Sequence, residues 1–199
     1  FLNDNNIKSL VIDHHEINKP FPKANMIINP KKDNGYVEFD YLCATSLVYF
    51  FLDLLSDKIK CKIKVSDYLI YVLLATVCDV MPIRKLNRLI ALTALKNFDI
   101  NKNIAFNQLF KLNNITHKIN MEDLGFLIGP ILNAGGRLGK SNFASELLSS
   151  NNLNIIKILA SNKVNKDSNF DGILKLPTTL NDINSIYNKD IPVDEKFNK

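Results

Sequence analysis

The chain has 199 residues, 46% hydrophobic and 23% charged, with Gly, Pro and Cys counts of 7, 7 and 3; collagen, a disordered tail and a disulfide mini-protein are excluded, and one good core is within reach. A net charge of +5 and a pI near 9.0 permit a nucleic-acid or phosphate partner without arguing for one. Cys43, Cys61 and Cys78 are odd in number and never at C-x-x-C spacing, so neither a disulfide framework nor a zinc ribbon is indicated, which fits a reducing cytoplasm.

The chain opens on Phe1 with no signal-peptide pattern, and it reads as a cytoplasmic, soluble piece of a longer protein. Residues 9–12 (Ser-Leu-Val-Ile) form a β-branched run ending in Asp13-His14-His15, the pattern of a buried parallel strand that delivers polar groups at its C-terminal end. Met26-Ile27-Ile28 predicts a second short strand closed by Asn29-Pro30. Residues 41–55 and 67–80 are long enough for helices and apolar nearly all round, so burial is expected for both. The most apolar stretches, residues 47–55 and 68–80, are shorter than the roughly 20 residues of a membrane span, and Asp53 and Asp79 sit in or beside them. Ser66 is the expected N-cap of the second helix and Pro82 its stop.

Residues 84–98 predict an amphipathic helix with Leu86, Leu89, Ile90 and Leu95 on one side, and 105–112, 121–127, 143–149 and 154–162 predict shorter ones. Between them, residues 129–141 hold four of the seven glycines and a proline, which predicts a loop with unusual backbone angles or a close approach to a ligand. Beyond about residue 164 the pattern dissolves into Asn, Asp, Lys and Pro. The fold class is α/β at the N-terminus followed by a mostly helical remainder. With only two strands visible, further strands are expected upstream of Phe1.

Three constellations carry chemistry. Asp13-His14-His15 offers imidazole and carboxylate, good ligands for Mn, Zn or Fe, and a carboxylate that can fix an imidazole tautomer; the alternative is a solvated polar strand end. Asp79 ends an apolar helix where both burial and the helix dipole disfavour a negative charge. A metal cation would resolve both, as would Arg84 or Arg88. In Gly129-Pro-Ile-Leu-Asn-Ala-Gly-Gly-Arg-Leu-Gly-Lys-Ser141, backbone amides with Arg137 and Lys140 suit a phosphate. This stretch also matches a relaxed P-loop, although no strand ending in Asp accompanies it.

Taken in this order, the three segments resemble the RecJ family of bacterial single-stranded-DNA-specific 5′→3′ exonucleases, in the DHH phosphoesterase superfamily. Val11-Ile12-Asp13-His14-His15 matches the family's eponymous motif. Residues 24–30 are similar to the Asn-Pro turn after it, and Tyr41-Leu42-Cys43-Ala44 opens the following helix. Thr76-Val77-Cys78-Asp79-Val80-Met81-Pro82, with Leu86-Asn87-Arg88, resembles the next acidic motif. Leu124-Gly125-Phe126 and residues 129–139 are similar to the glycine-rich segment that ends in Asn-Ala-Gly-Gly-Arg. The likeness spans about residues 10–148.

The resemblance implies two-metal hydrolysis of phosphodiester bonds in single-stranded DNA with Mn²⁺ or Mg²⁺, the cations activating water and stabilising the attacking and leaving oxygens. It implies His14 and Asp79 as metal ligands, Asp13 as the support of the site, and His15 at the scissile phosphate. It also implies that Asn133 and Arg137 hold the DNA backbone. Residues 1–100 would be the C-terminal part of a DHH-type parallel-sheet domain. Residues 101–163 would be a helical continuation with the glycine-rich substrate loop, and 164–199 a divergent, disorder-prone tail.

The departures are specific. The family's Asp-x-Asp motif and further metal Asp lie upstream of Asp-His-His, and only Asp4 precedes Asp13 here. Ile131 stands where the family has Arg after Gly-Pro, and nothing beyond about residue 162 aligns. The expectation is an exonuclease core that is incomplete and inactive alone, whose missing Asp residues could come from a separate N-terminal polypeptide. The alternatives are a non-catalytic remnant or binding module, a P-loop-like nucleotide binder, and an oligonucleotide phosphatase.

Overall fold

A computed structural model describes residues 1–32, 37–61, 63–137, 142–154, 156 and 157, with the side chains of residues 37 and 134–137 outside that description. Strand β1 (Leu10–Ile12) and strand β2 (Met26–Ile28) pair in parallel, with Leu10 opposite Met26, Val11 opposite Ile27 and Ile12 opposite Ile28. Both stand where the β-branched runs predict strands. The expected burial is not found: Leu10 is 39% and Met26 59% exposed, because among the described residues the two strands form a sheet of their own.

The remainder is helical: α1 (Ala44–Lys58), α2 (Leu69–Cys78), α3 (Lys85–Asn97), α4 (Ile104–Leu112), a π-helical segment (Asp123–Ile128) running directly into α5 (Gly129–Arg137), and α6 (Phe143–Ser149). Helix α2 is the hub, packed against α1, α3 and the π segment. It buries Ile70, Val72, Leu73, Leu74 and Thr76, as its all-round apolar sequence requires. Around it Ile90, Phe106, Leu109, Leu124, Ile128, Leu147 and Ile156 close one continuous core; each such side chain contributes roughly 1.5–3 kcal/mol relative to exposure.

Several local expectations are corrected. Helix α1 is not buried all round: Ser46 is its buried residue, while Leu52, Leu54 and Leu55 reach the surface. It starts at Ala44 because Tyr41, Leu42 and Cys43 are buried in extended or turn backbone ahead of it. Ser66 does not cap α2, since a 3-10 turn over Val65–Tyr68 leads straight into the helix. Nor does Pro82 stop it. The Val80 amide returns to the Val77 carbonyl and the Met81 amide to that of Thr76, a Schellman closure completed before the proline. The buried face of α3 is Asn87, Ile90, Ala91 and Ala94, whereas Leu89 is 59% exposed.

The largest correction concerns the glycine-rich stretch, which is helical from Gly129 to Arg137. Its first glycine, with Gly125 just ahead of it, answers a packing demand. A Cβ on Gly129 would lie 2.6 Å from Cys78 Sγ and 3.1 Å from the Leu124 carbonyl, and one on Gly125 would lie 3.0 Å from Val77 Cγ1. The missing side chain at Gly129 lets this segment press against the last turn of α2, and at Gly125 it spares Val77 a shift of a few tenths of an ångström. Residues 138–141, including Lys140 and Ser141, lie outside the described residues, as do 155 and 158–199.

Candidate metal and phosphate site

Strand β1 carries Asp13, His14 and His15 out of the sheet at the point where pairing ends, the Asp13 amide donating to the Ile28 carbonyl at 3.0 Å. Beyond that bond the side chains no longer alternate between faces as they must within a strand. The two imidazole rings lie together, centroids 4.5 Å apart and tilted by 31°. His15 Nδ1 is 2.8 Å from Asp13 Oδ1. Asn29 fixes the turn by donating its side-chain amide to the His15 carbonyl at 3.0 Å while accepting from the Lys31 amide at 2.9 Å. Burial works against ionising Asp13, but the His15 ring and the backbone amides of His14 and His15 outweigh it. The carboxyl is therefore held below its ordinary 3.8. Ionised Asp13 in turn keeps the His15 Nδ1 proton and leaves Nε2 free on a ring that is 77% exposed.

His14 is turned inward, 13% exposed. Its Nδ1 accepts from the Ala44 amide at 3.0 Å, one of the first amides of α1, which have no partner within the helix. Its Nε2 faces Asp79 Oδ2 across 3.8 Å, too far for a hydrogen bond. Asp79 is delivered from the opposite direction by the C-terminus of α2. The residue after it, Val80, has φ 54° and is 79% exposed. A β-branched residue in the left-handed region is strained by about 1–3 kcal/mol, so the turn that presents Asp79 is held by its neighbours. Arg84, one candidate partner for Asp79, instead pairs with Asp40 at 3.3 Å. Burial, reinforced by the adjacent Asp79 carboxylate, pushes the Cys78 thiol up.

The donor set suits a divalent cation. Asp13, His14 and His15 bring ligand atoms within 4.8 Å of one another, and the carboxylate of Asp79 faces the same imidazole. Nitrogen and oxygen donors of this kind serve Mn, Zn and Fe. One feature constrains such binding: a ligating imidazole usually donates its second N–H, whereas His14 Nδ1 accepts one. Offering the Nε2 lone pair therefore means moving the ring proton to Nδ1 and giving up the Ala44 bond.

Of the residues expected to hold DNA, Asn133 is exposed on α5. The backbone of Arg137 ends the same helix, but its side chain lies outside the described residues. Because Gly129 abuts Cys78, helix α5 begins beside the Asp79 turn. Among the described residues a helical segment, not a strand, leads into this stretch, so the geometry of a P-loop is absent up to Arg137. Sequence reasoning gave no role to Asn87, fully buried on α3, or to the packing of Gly125 and Gly129; their G-x-x-x-G spacing was the available signal. It also passed over His117, whose Nε2 lies 3.0 and 3.1 Å from the two oxygens of Asp123.

No family model matches the chain. Among curated proteins it is 28% identical over 172 residues to the single-stranded-DNA-specific exonuclease RecJ of Haemophilus influenzae, covering 80% of this chain and 30% of that protein. It is 27% identical over 142 residues to RecJ of Bacillus subtilis, covering 71% and 17%. The chain thus spans under a third of the curated relatives it matches. Its fold matches the crystal structure of RecJ from Thermus thermophilus in complex with Mn²⁺, with a TM-score of 0.71 and 21% identity over 84% of this chain and 25% of that one.

The chain resembles the RecJ exonucleases in sequence and in fold.

A manganese-bound RecJ exonuclease structure gives the same TM-score of 0.71, with 42% of that chain covered. The RecJ likeness expected from the motifs is borne out at the level of sequence kinship and fold. Among the described residues no helix is long and apolar enough to cross a membrane.

Proposed function

We propose that this chain carries one part of a metal-dependent site that hydrolyses phosphodiester bonds in single-stranded DNA, within a DHH-type arrangement. The observation that carries the proposal is the convergence of Asp13, His14 and His15 at the end of β1 with Asp79 at the end of α2. His14 and Asp79 reach that point from separate elements 3.8 Å apart. In this reading His14 and Asp79 would hold Mn²⁺ or Mg²⁺, which would supply water activation and charge neutralisation for phosphodiester hydrolysis. Asp13 keeps the His15 proton on Nδ1 and steadies the ring when it is doubly protonated. The exposed Nε2 then meets the scissile phosphate, a charge-assisted contact. Asn133 and Arg137 hold the DNA backbone along α5, and Ile131 supplies no cation where the family has Arg. The RecJ relatives' names supply the substrate class, and the manganese-bound structures supply the metal class.

The remaining metal carboxylates of the family have no counterpart before Asp13, so we infer that residues 1–199 alone bind a divalent cation weakly and do not digest DNA. Purified chain incubated with 5′-labelled single-stranded DNA and Mn²⁺ should release no nucleotides. Robust Mn²⁺-dependent release, abolished by His14→Ala and Asp79→Ala, would show that a complete site assembles here. Release that survives both substitutions would remove the proposed residues from the chemistry.

A further inference from the structure

His14 and Asp79 stand on separate elements, so their 3.8 Å separation depends on what ties those elements together. His14 is oriented by the Ala44 amide, and Asp79 by the closure at Val80 and Met81, just ahead of Pro82. Asn87 touches both supports. Its side-chain amide donates to the Tyr41 carbonyl at 2.7 Å and to the Pro82 carbonyl at 3.0 Å. Tyr41 leads through two buried residues into Ala44, and Pro82 follows directly on the closure that presents Asp79.

We propose that Asn87 is a positioning residue that clamps these two backbone segments and thereby sets His14 and Asp79 in register. The side chain is fully buried, yet its Oδ1 makes no hydrogen bond among the described residues. An orphaned buried acceptor is unfavourable, and an apolar side chain of the same size would avoid it. What Asn87 supplies is its pair of donors, delivered to carbonyls on two different loops. The N-cap residue of α3 reinforces one side of the clamp. Arg84 reaches Asp40 at 3.3 Å, and its guanidinium sits 5.3 Å from the centre of the Tyr41 ring. Those contacts hold side chains of the first segment, while Asn87 hydrogen-bonds the backbone of both.

The proposal rests on the metal reading for its consequence, but its geometry can be read without metal. Long-range ¹H–¹⁵N spectra report each histidine's tautomer and hydrogen bonding, with His117, paired to Asp123, as an internal control. In Asn87→Leu, and in Asn87→Asp, which keeps the shape and loses the donors, the His14 Nδ1 signal should lose its hydrogen-bonded position while His117 stays unmoved. Because a metal on His14 Nε2 would require the Ala44 bond to be given up, the histidine signal itself is the readout of the clamp, and Mn²⁺ binding is followed alongside it to test the metal reading. Unchanged His14 signals in either folded variant would overturn the clamp. So would loss of cooperative melting in both, which would make Asn87 a core residue only. Displaced His14 signals with no Mn²⁺ binding even in the unaltered chain would leave the clamp standing and sink the metal reading instead.

Discussion

Asp13 and His15 form the most solvent-accessible pair of the site, and their coupling is directly testable. The carboxyl is held below 3.8 because the His15 ring and neighbouring amides outweigh its partial burial. A group whose folded pKa is depressed adds stability that is present above the unfolded value and lost as pH falls through the folded one. Here that window lies below about pH 4, and with Asp13 39% exposed the contribution is small. The NMR-detected midpoint of the Asp13 carboxyl should therefore fall below 3.8 in the native chain and move back up in His15→Ala. A midpoint that ignores His15→Ala would show that the pair does not set the charge. His15 owes its exposed Nε2 to this bond, so the same substitution at Asp13 would release the imidazole that the proposed chemistry needs oriented.

Among the elements, α2 does the most positioning: its core face anchors the molecule, and its C-terminus presents Asp79. The segment from Asp123 to Arg137 leans on that C-terminus through glycines. Gly129→Ala would drive a Cβ to 2.6 Å from Cys78 Sγ, an overpacking expected to cost about 1–3 kcal/mol in urea unfolding. Adding Cys78→Ala should recover part of that loss, since the sulfur goes but the Leu124 carbonyl remains 3.1 Å away. Strict additivity of the two changes would mean that they do not share this contact. The sequence shows the strands, α2 and α6 plainly, because periodicity and β-branched runs are local signals. It misleads at 129–137, where glycine density suggests a loop but the backbone is helical, and at Gly129 the real constraint is the distance to the end of α2. Composition cannot report that constraint. Asp-His-His and Asp79 were legible as chemistry, but their meeting was legible only through the family resemblance and not in any local pattern. It depends on the Ala44 amide, the strained Val80 turn and Asn87, each of which acts through a partner far along the chain.

On the scale of the whole molecule, a small parallel sheet and a helical core built on α2 bring three separated sequence motifs to one neighbourhood. The chain matches the fold of a RecJ structure over 84% of its length with a TM-score of 0.71. A pI near 9.0 suits an anionic partner, and Asn133 on α5 lies on the helix that starts beside Asp79. The proposed site requires that the β1 and α2 termini together hold a cation. The direct measurement is Mn²⁺ binding followed by electron paramagnetic resonance, in which the free-ion signal diminishes as the metal is captured. The unaltered chain should capture Mn²⁺ weakly, and His14→Ala and Asp79→Ala, each still folded by circular dichroism, should both abolish capture. Undiminished binding in both variants would place any metal elsewhere and contradict the site described here.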